Sequence, residues 1–434
     1  MVKRVSLLLI LCILICGTFT ACFDAQEVDD EVYALALGLD KGMTNKIRLT
    51  IQYPTYKSGG GGGGADQEKN KGGMGNSNET AGANIHTIEA PSILEAIDMY
   101  GMAISRRVSL MHMKNLIISE DIAREGIEDH LAPMSRFRET RRIVDIAVVK
   151  GTAQKYIQEN EANIGESLSK SMEIMAVQSN NTSYFPRVTF HDFYIGLLSN
   201  YNQSFTAYTG INEFKELPEE QENIKSPLVI NNGFIPGKLP RSGVAKREFV
   251  GTAVFSADRM VGYLNSEETR YFLMILGKFK KGIISIPDEK LPDKVIPLDL
   301  RLSRKPVIKG HFKKGKPVID LKLELEADIG SIQSRINYED KNNIEKLNKD
   351  VELFIRERLI NVVTKVKNEY KSDVFGFGEK VAGYFPTIQE WERYDWLKHF
   401  PEARVNIEVN VNIRRTGTMI KSSKIRGKNL LNTT

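Results

Sequence analysis

Three short segments carry residue types that could activate a serine. Ser167-Leu-Ser-Lys170, Ser179-Asn-Asn181 and Arg415-Thr-Gly417 imitate the Ser-x-x-Lys, Ser-x-Asn and Lys-Thr-Gly boxes of penicillin-binding enzymes. The spacing argues against that chemistry. Ser179 follows Ser167 by only twelve positions, too few to place it on a separate loop facing the nucleophile, and Arg415 replaces the lysine. The six histidines, His86, His112, His130, His191, His311 and His399, are scattered singly with no pair at zinc spacing. No metal and no cofactor is expected. Glu324, Glu326 and Asp328 line one face of a strand-like run, where carboxylates ordinarily just keep that face wet. Thiol chemistry is confined to Cys12, Cys16 and Cys22, all in or at the edge of the first apolar segment, so the rest of the chain can build neither a disulfide nor a thiolate metal site. A non-enzymatic protein is expected.

Cys22 has the most informative surroundings. Lys3 and Arg4 precede Val5-Ser-Leu-Leu-Leu-Ile-Leu-Cys-Ile-Leu-Ile15, an apolar core of signal-peptide length and short for a spanning helix. Gly17-Thr-Phe-Thr-Ala21 supplies the small residues a peptidase needs, and Cys22 follows at once. The arrangement resembles a bacterial lipobox, with Phe19 where Leu is usual. That resemblance makes Cys22 the expected lipidation site and residues 1–21 a removable signal. Burial of acyl chains contributes about 0.8 kcal/mol per methylene, so a diacyl anchor would hold the chain firmly to a membrane.

Length and composition fit several ordinary domains. The chain has 434 residues, 41% of them hydrophobic and 26% charged, and a mean hydropathy of −0.29, as in globular proteins with their own cores. Loss of residues 1–21 would lower the formal charge of +5 by the two units of Lys3 and Arg4. The richest basic run, Arg301 to Lys316, lies between strand-like segments with no aromatic platform beside it, so nucleic acid is not an expected partner.

The elements that would position these residues read as follows. Val32 to Asp40 is dense in apolar residues, and Ile47 to Tyr53 alternates, as a hairpin would. Gly59 to Gly64 and the polar stretch after it lack the Gly-Lys-Ser/Thr of a phosphate loop, so residues 58–84 are expected to be a disordered insertion. Ser92 caps a helix to Ile104, Leu116 to Ser119 is a strand, Asp121 opens a helix, Arg141 to Val149 is strand-like, and Gly151-Thr-Ala starts another helix. Turn-forming residues between Ser179 and Val250 suggest a domain change. Gly251 to Leu264 reads as strand, turn and strand, with Ser266-Glu-Glu-Thr269 as an approximate capping box. Leu321 to Leu325 alternates, and the stripe of Ile344, Leu347, Val351, Ile355, Leu359, Val362 and Val366 predicts a long helix. Phe375-Gly-Phe-Gly378 ends it with backbone freedom, and Val405 to Ile413 alternates again. A helix laid across an antiparallel sheet would bury both apolar faces.

The expected fold class is therefore α+β: three mixed α/β domains with antiparallel or mixed sheets flanked by helices, and a long helix packed on a sheet in the last. The expected boundaries are 22–200, 201–300 and 301–420, with a flexible tail at 421–434.

Several segments together resemble one family. They are Cys22-Phe-Asp24 leading to Glu27, Leu37-Gly-Leu-Asp40, Gly251-Thr-Ala-Val-Phe255 with Gly262-Tyr-Leu264, Gly376-Phe-Gly378, Trp391 and Trp396 before Phe400-Pro401, and the last strand closing at Gly417. In this order they are similar to the Ger(x)C family, the lipoprotein C subunits of spore germinant receptors. The family typically has Trp after the lipid cysteine and a basic pair before the glutamate, where this chain has Phe23, Ala25 and Gln26. The resemblance implies a three-domain lipoprotein on the outer face of the inner spore membrane. It also implies partnership with a membrane-embedded A subunit and B subunit, and a part in the response to nutrient germinants. A solute-binding or envelope-remodelling lipoprotein is the alternative.

Overall fold

The apolar run before Asp40 and the alternating run after Lys46 fold as the expected hairpin, and this hairpin lies within the larger of two main sheets. The computed structural model describes residues 5–6, 30–54, 83–159, 173, 177–213, 233–334, 336–338 and 340–415; Cys22, the glycine run and Ser167-Leu-Ser-Lys170 lie outside them. In chain order the first strands are β1 (Glu31–Tyr33), β2 (Ala36–Lys41), β3 (Ile47–Pro54), β4 (Ala83–Ala90), β5 (Arg107–Ser109), β6 (Asn115–Ser119), β7 (Asp145–Val149), β8 (Phe205–Ile211), β9 (Arg247–Ser256) and β10 (Arg259–Leu264). β1 pairs with β5, and the other eight form one sheet in the order β10-β9-β8-β7-β6-β2-β3-β4. Its centre, β2, β6, β7 and β8, is parallel. Both flanks are antiparallel.

Side-chain alternation sorts that sheet into two faces. Leu37, Leu39, Leu116, Ile118, Ile146, Val148 and Tyr208 point to a core shared with α1 (Ile93–Ile104), α2 (Glu120–Glu125), α3 (Glu128–Arg136) and α5 (Phe190–Leu198). Ala36, Ile117, Ala147 and Ala207 point the other way, against α4 (Ala153–Gln158). Ser92 caps α1 as expected, its hydroxyl accepting from the Glu95 N–H at 3.2 Å.

Two expectations need correction here. Arg141 to Val149 is strand only from Asp145; Arg141, Arg142 and Ile143 are exposed, because adjacent arginines cannot enter a strand covered on both faces. Conversely β8 lies in the stretch where periodicity fades. Its buried Thr206 and Thr209 donate to the Ile146 and Glu248 carbonyls at 2.5 and 2.6 Å, so polar residue types occupy core positions.

The second sheet contains β11 (Gly282–Asp288), β12 (Leu291–Leu302), β13 (Val307–Lys313), β14 (Lys316–Ile329) and β15 (Arg404–Arg415). β14 carries β15 along one edge, and β13 then β12 along the other. The long helix, α7 (Lys341–Lys365), buries Leu347, Val351, Ile355, Leu359, Val362 and Val363, the stripe its spacing predicts. Each such side chain contributes on the order of 1.5–3 kcal/mol. The expected antiparallel sheet is instead mixed. β15 runs parallel to β14, because α7 carries the chain back across the sheet before β15 begins.

Between the sheets sits α6 (Ser266–Ile275), buried on nearly every side. Its capping box is formed by Asn265 and Glu268 rather than by Ser266 and Thr269. Val254 of β9 and Leu264 of β10 join α6 in the core of the second sheet. Residues 201–300 thus contribute β8 to β10 to the first sheet and β11 and β12 to the second. The class is α+β.

Candidate functional site

The family-like segments build junctions. Leu37 and Leu39 enter the core, and the Asp40 carboxylate accepts from the Ala153 and Gln154 N–H groups at 2.7 and 2.8 Å, capping α4 from β2. Burial raises the Asp40 carboxyl above its ordinary range, against the pull of those two bonds.

A second junction ties β10 to the end of α7. At Gly262 a Cβ would stand 2.3 Å from the Tyr370 ring, so only glycine admits that ring against the strand. Tyr370 Oη donates to the Tyr263 carbonyl at 2.7 Å. Lys365 Nζ donates to the same carbonyl at 3.3 Å and pairs with Glu268 at 2.8 Å. Glu268 also accepts from the Asn265 N–H at 2.8 Å, so one carboxylate both caps α6 and anchors α7.

The third junction is the segment expected to end α7 with backbone freedom. It is instead held around the fully buried Asp373. Oδ1 accepts from the Phe375 and Phe377 N–H groups, both at 3.2 Å; Oδ2 accepts from the Gly378 N–H and from Trp396 Nε1, both at 2.8 Å. Burial pushes the Asp373 carboxyl up to about 6, with these four donors opposing. Gly378 is needed because a Cβ there would stand 2.1 Å from the Tyr201 carbonyl oxygen. The Asp373 carbonyl accepts from the Gln203 N–H at 2.8 Å, and Ser372 Oγ donates to the Phe255 carbonyl at 2.5 Å, so the loop clasps the first sheet. Trp391, Trp396 and Phe400 are core, part of a ring cluster with α8 (Gly378–Val381), α9 (Ile388–Tyr394) and α10 (Trp396–His399) around it.

Of the residues weighed for catalysis, Ser167, Lys170, Thr416 and Gly417 lie outside the described residues, and the described ones do not assemble. Ser179 and Asn181 lie in a helical turn over residues 177–182, and Arg415 closes β15 opposite Asp328. Glu324, Glu326 and Asp328 are answered by Arg304, Arg301 and Arg414. His86 stacks on Tyr53 and His399 on Tyr394, His112 meets Tyr33 edge to face, and His311 faces Asp320 at 3.4 Å. Among the described residues no three His, Cys, Asp or Glu side chains converge as metal ligands.

Two adjoining open clefts of about 540 and 490 Å³, which share Lys155, Ile211 and Glu213, lie at the carboxyl ends of β7 and β8. Three of their cations are matched, Lys155 to Glu213 at 2.5 Å, Lys246 to Glu159 at 2.6 Å and Arg241 to Glu248 at 2.8 Å, and Lys150 and Lys238 line them as well. Their lining is polar, with more cations than carboxylates. Among the described residues, no helix is long and apolar enough to cross a membrane.

Bracing contacts of this kind define a scaffold class, an α+β body whose glycines, buried acid and tryptophans hold sheets together. Comparison with known proteins places it. The family model described as spore germination protein N-terminal domain matches residues 24–211, and the model described as spore germination B3/GerAC like, C-terminal, matches 250–417. The chain is 23% identical to spore germination protein KC of Bacillus subtilis (strain 168), over 95% of this chain and 96% of that one. It is 24% identical to spore germination protein YndF of the same strain, over 96% and 98%. It is 20% identical to spore germination protein B3, over 96% and 99%. The crystal structure of the GerBC protein superposes with a TM-score of 0.47 at 16% identity, over 90% of this chain and 99% of that one. The chain belongs to the Ger(x)C family of spore germination proteins.

Proposed function

We propose that this chain is the lipid-anchored C subunit of a spore germinant receptor. It acts without enzymatic chemistry, through contacts with a membrane-embedded A subunit and B subunit on the outer face of the inner spore membrane. The observation that carries the reading is the pair of germination-family matches covering residues 24–211 and 250–417. The first begins just after Cys22, the proposed site of acylation. Confinement to a plane raises the effective concentration of membrane partners, so modest interfaces suffice. The braced body described above supports a structural role of this kind.

Spore membranes from wild type and Cys22→Ala test it. Co-purification of the A and B subunits with the wild-type chain, and joint loss of membrane retention and of the nutrient response in Cys22→Ala, are expected. A soluble Cys22→Ala protein with full germination activity would refute the anchored-subunit reading. The clefts beside β7 and β8 favour a solute-binding alternative, since open sheets with parallel strands bind ligands at their carboxyl ends. Saturable binding of a labelled germinant to the purified chain, lost in Lys155→Ala, would establish that alternative.

A further inference from the structure

Topology gathers one end of the first sheet. β2, β6 and β7 are parallel, so the segments entering them, residues 34–35, 110–114 and 137–144, lie together at their amino ends. Side chains and backbone join these segments. Arg107 bonds Glu139 and pairs with Glu31 at 3.6 Å, the Leu110 N–H donates to Glu139 at 3.1 Å, and Tyr33 packs on His112 at 4.5 Å. β1, to which the chain comes from Cys22, is therefore part of this end.

Around it stand Arg106, Arg136, Arg138, Arg141 and Arg142, all exposed, and none forms an ion pair among the described residues. Local carboxylates are spoken for: Glu31 and Glu139 by Arg107, Asp145 by Arg187, Glu173 by Lys114. Among the described residues Asp30, Asp98 and Asp192 remain to oppose the five arginines, and Asp24, Glu27 and Asp29 add acidic charge in the segment from Cys22. Between the charges protrude Met102, Met111 and Ile143, with relative exposures of 78%, 53% and 64%. Exposed apolar side chains set among arginines that form no ion pair within the described residues match an interface that is anionic at its surface and apolar just beneath.

We infer that the amino end of the first sheet, carrying Arg106, Arg138, Arg141 and Arg142 with Met102 and Ile143, rests on the anionic phospholipid surface of the membrane. The inference deepens the anchored reading and rests on it. Eight residues separate Cys22 from Glu31, and the nine steps between them reach at most about 32 Å fully extended, so an acylated Cys22 keeps this end close to the headgroups. The lysine-bearing clefts at the carboxyl ends of β7 and β8 then face away from the membrane.

The test uses the acylated full chain with Met102→Cys labelled by a polarity-sensitive fluorophore, in vesicles of phosphatidylcholine alone or mixed with phosphatidylglycerol, each doped with a headgroup quencher. Stronger quenching in the phosphatidylglycerol vesicles is expected. It should be lost in Arg138→Ser/Arg141→Ser/Arg142→Ser and in about 1 M salt, where screening acts over about 3 Å. A label at Lys246→Cys, at the opposite end, should stay unquenched in both vesicles. Equal quenching at the two positions overturns the proposal. So does shielding of the Met102→Cys label by polyglutamate but not by phosphatidylglycerol, which would make an acidic protein the occupant. If mass spectrometry shows a free Cys22, the anchor reading fails separately. The face is then judged by flotation of that unacylated chain: partition into phosphatidylglycerol vesicles falling about fivefold per arginine removed supports it, and equal flotation with both lipids overturns it.

Discussion

Asp373 offers the sharpest test of how the two sheets are held together. Its carboxylate is fully buried, accepts four hydrogen bonds and still titrates at about 6 against an ordinary 3.8. A shift of about two units corresponds to about 3 kcal/mol, at about 1.4 kcal/mol per unit. Because the folded-state value is the higher one, the native state binds the proton more tightly than the unfolded chain. This group's contribution is therefore fully present below pH 3.8 and is lost as pH rises through 6. Asp373→Asn keeps the shape and removes the titration. The experiment is urea denaturation of both proteins across pH 3.5 to 7.5, followed by tryptophan fluorescence. Subtracting the two curves cancels the other titrating groups. The advantage of wild type over Asp373→Asn should fall by about 3 kcal/mol between pH 4 and 7 and be level above that. Trp396→Phe, which removes the leading bond to the carboxylate, should move the fall to higher pH. A difference curve that is flat, or that climbs with pH, would refute the claim that burial outweighs the four donors.

Three further outcomes follow from the same structure. Gly262→Val drives its branched side chain into the Tyr370 ring and should cost about 1–3 kcal/mol in denaturation, whereas Gly383→Ala, with nothing near its Cβ position, should stay within about 0.5 kcal/mol. The outer edge of β15 is covered by α7, since the Val411 and Ile413 N–H groups donate to Glu352 at 2.9 Å and Asn348 at 3.0 Å; Asn348→Ala/Glu352→Ala should raise concentration-dependent aggregation in light scattering. Asp40→Ala strips the cap from α4 and should lower stability by about 1–2 kcal/mol, seen as faster amide exchange in residues 153–158.

What could be read from the amino-acid order was what repeats locally. The Ser92 cap, the stripe from Ile344 to Val366 and the alternation from Val405 to Ile413 each declare a period, and a period reports which side of an element is buried. The basic pair, apolar core and small residues before Cys22 are likewise contiguous, so the proposed export and acylation signal is read without any folded partner. A period does not report what covers the buried side. Nothing in Val405 to Ile413 distinguishes a parallel from an antiparallel neighbour, and β15 became parallel because α7 returns the chain across the sheet. Thr206 and Thr209 hid β8, since their polar atoms are satisfied by carbonyls far along the chain. Asp373 looked like any loop acid until Trp396, distant in sequence, closed over it. Arg106 and Arg138 converge only because parallel strands bring their preceding loops to one end of a sheet. Hydrophobic patterning sets the elements; pairing, burial of charge and the gathering of surface charge depend on contacts between residues far apart in the chain, and only the tertiary structure supplies those.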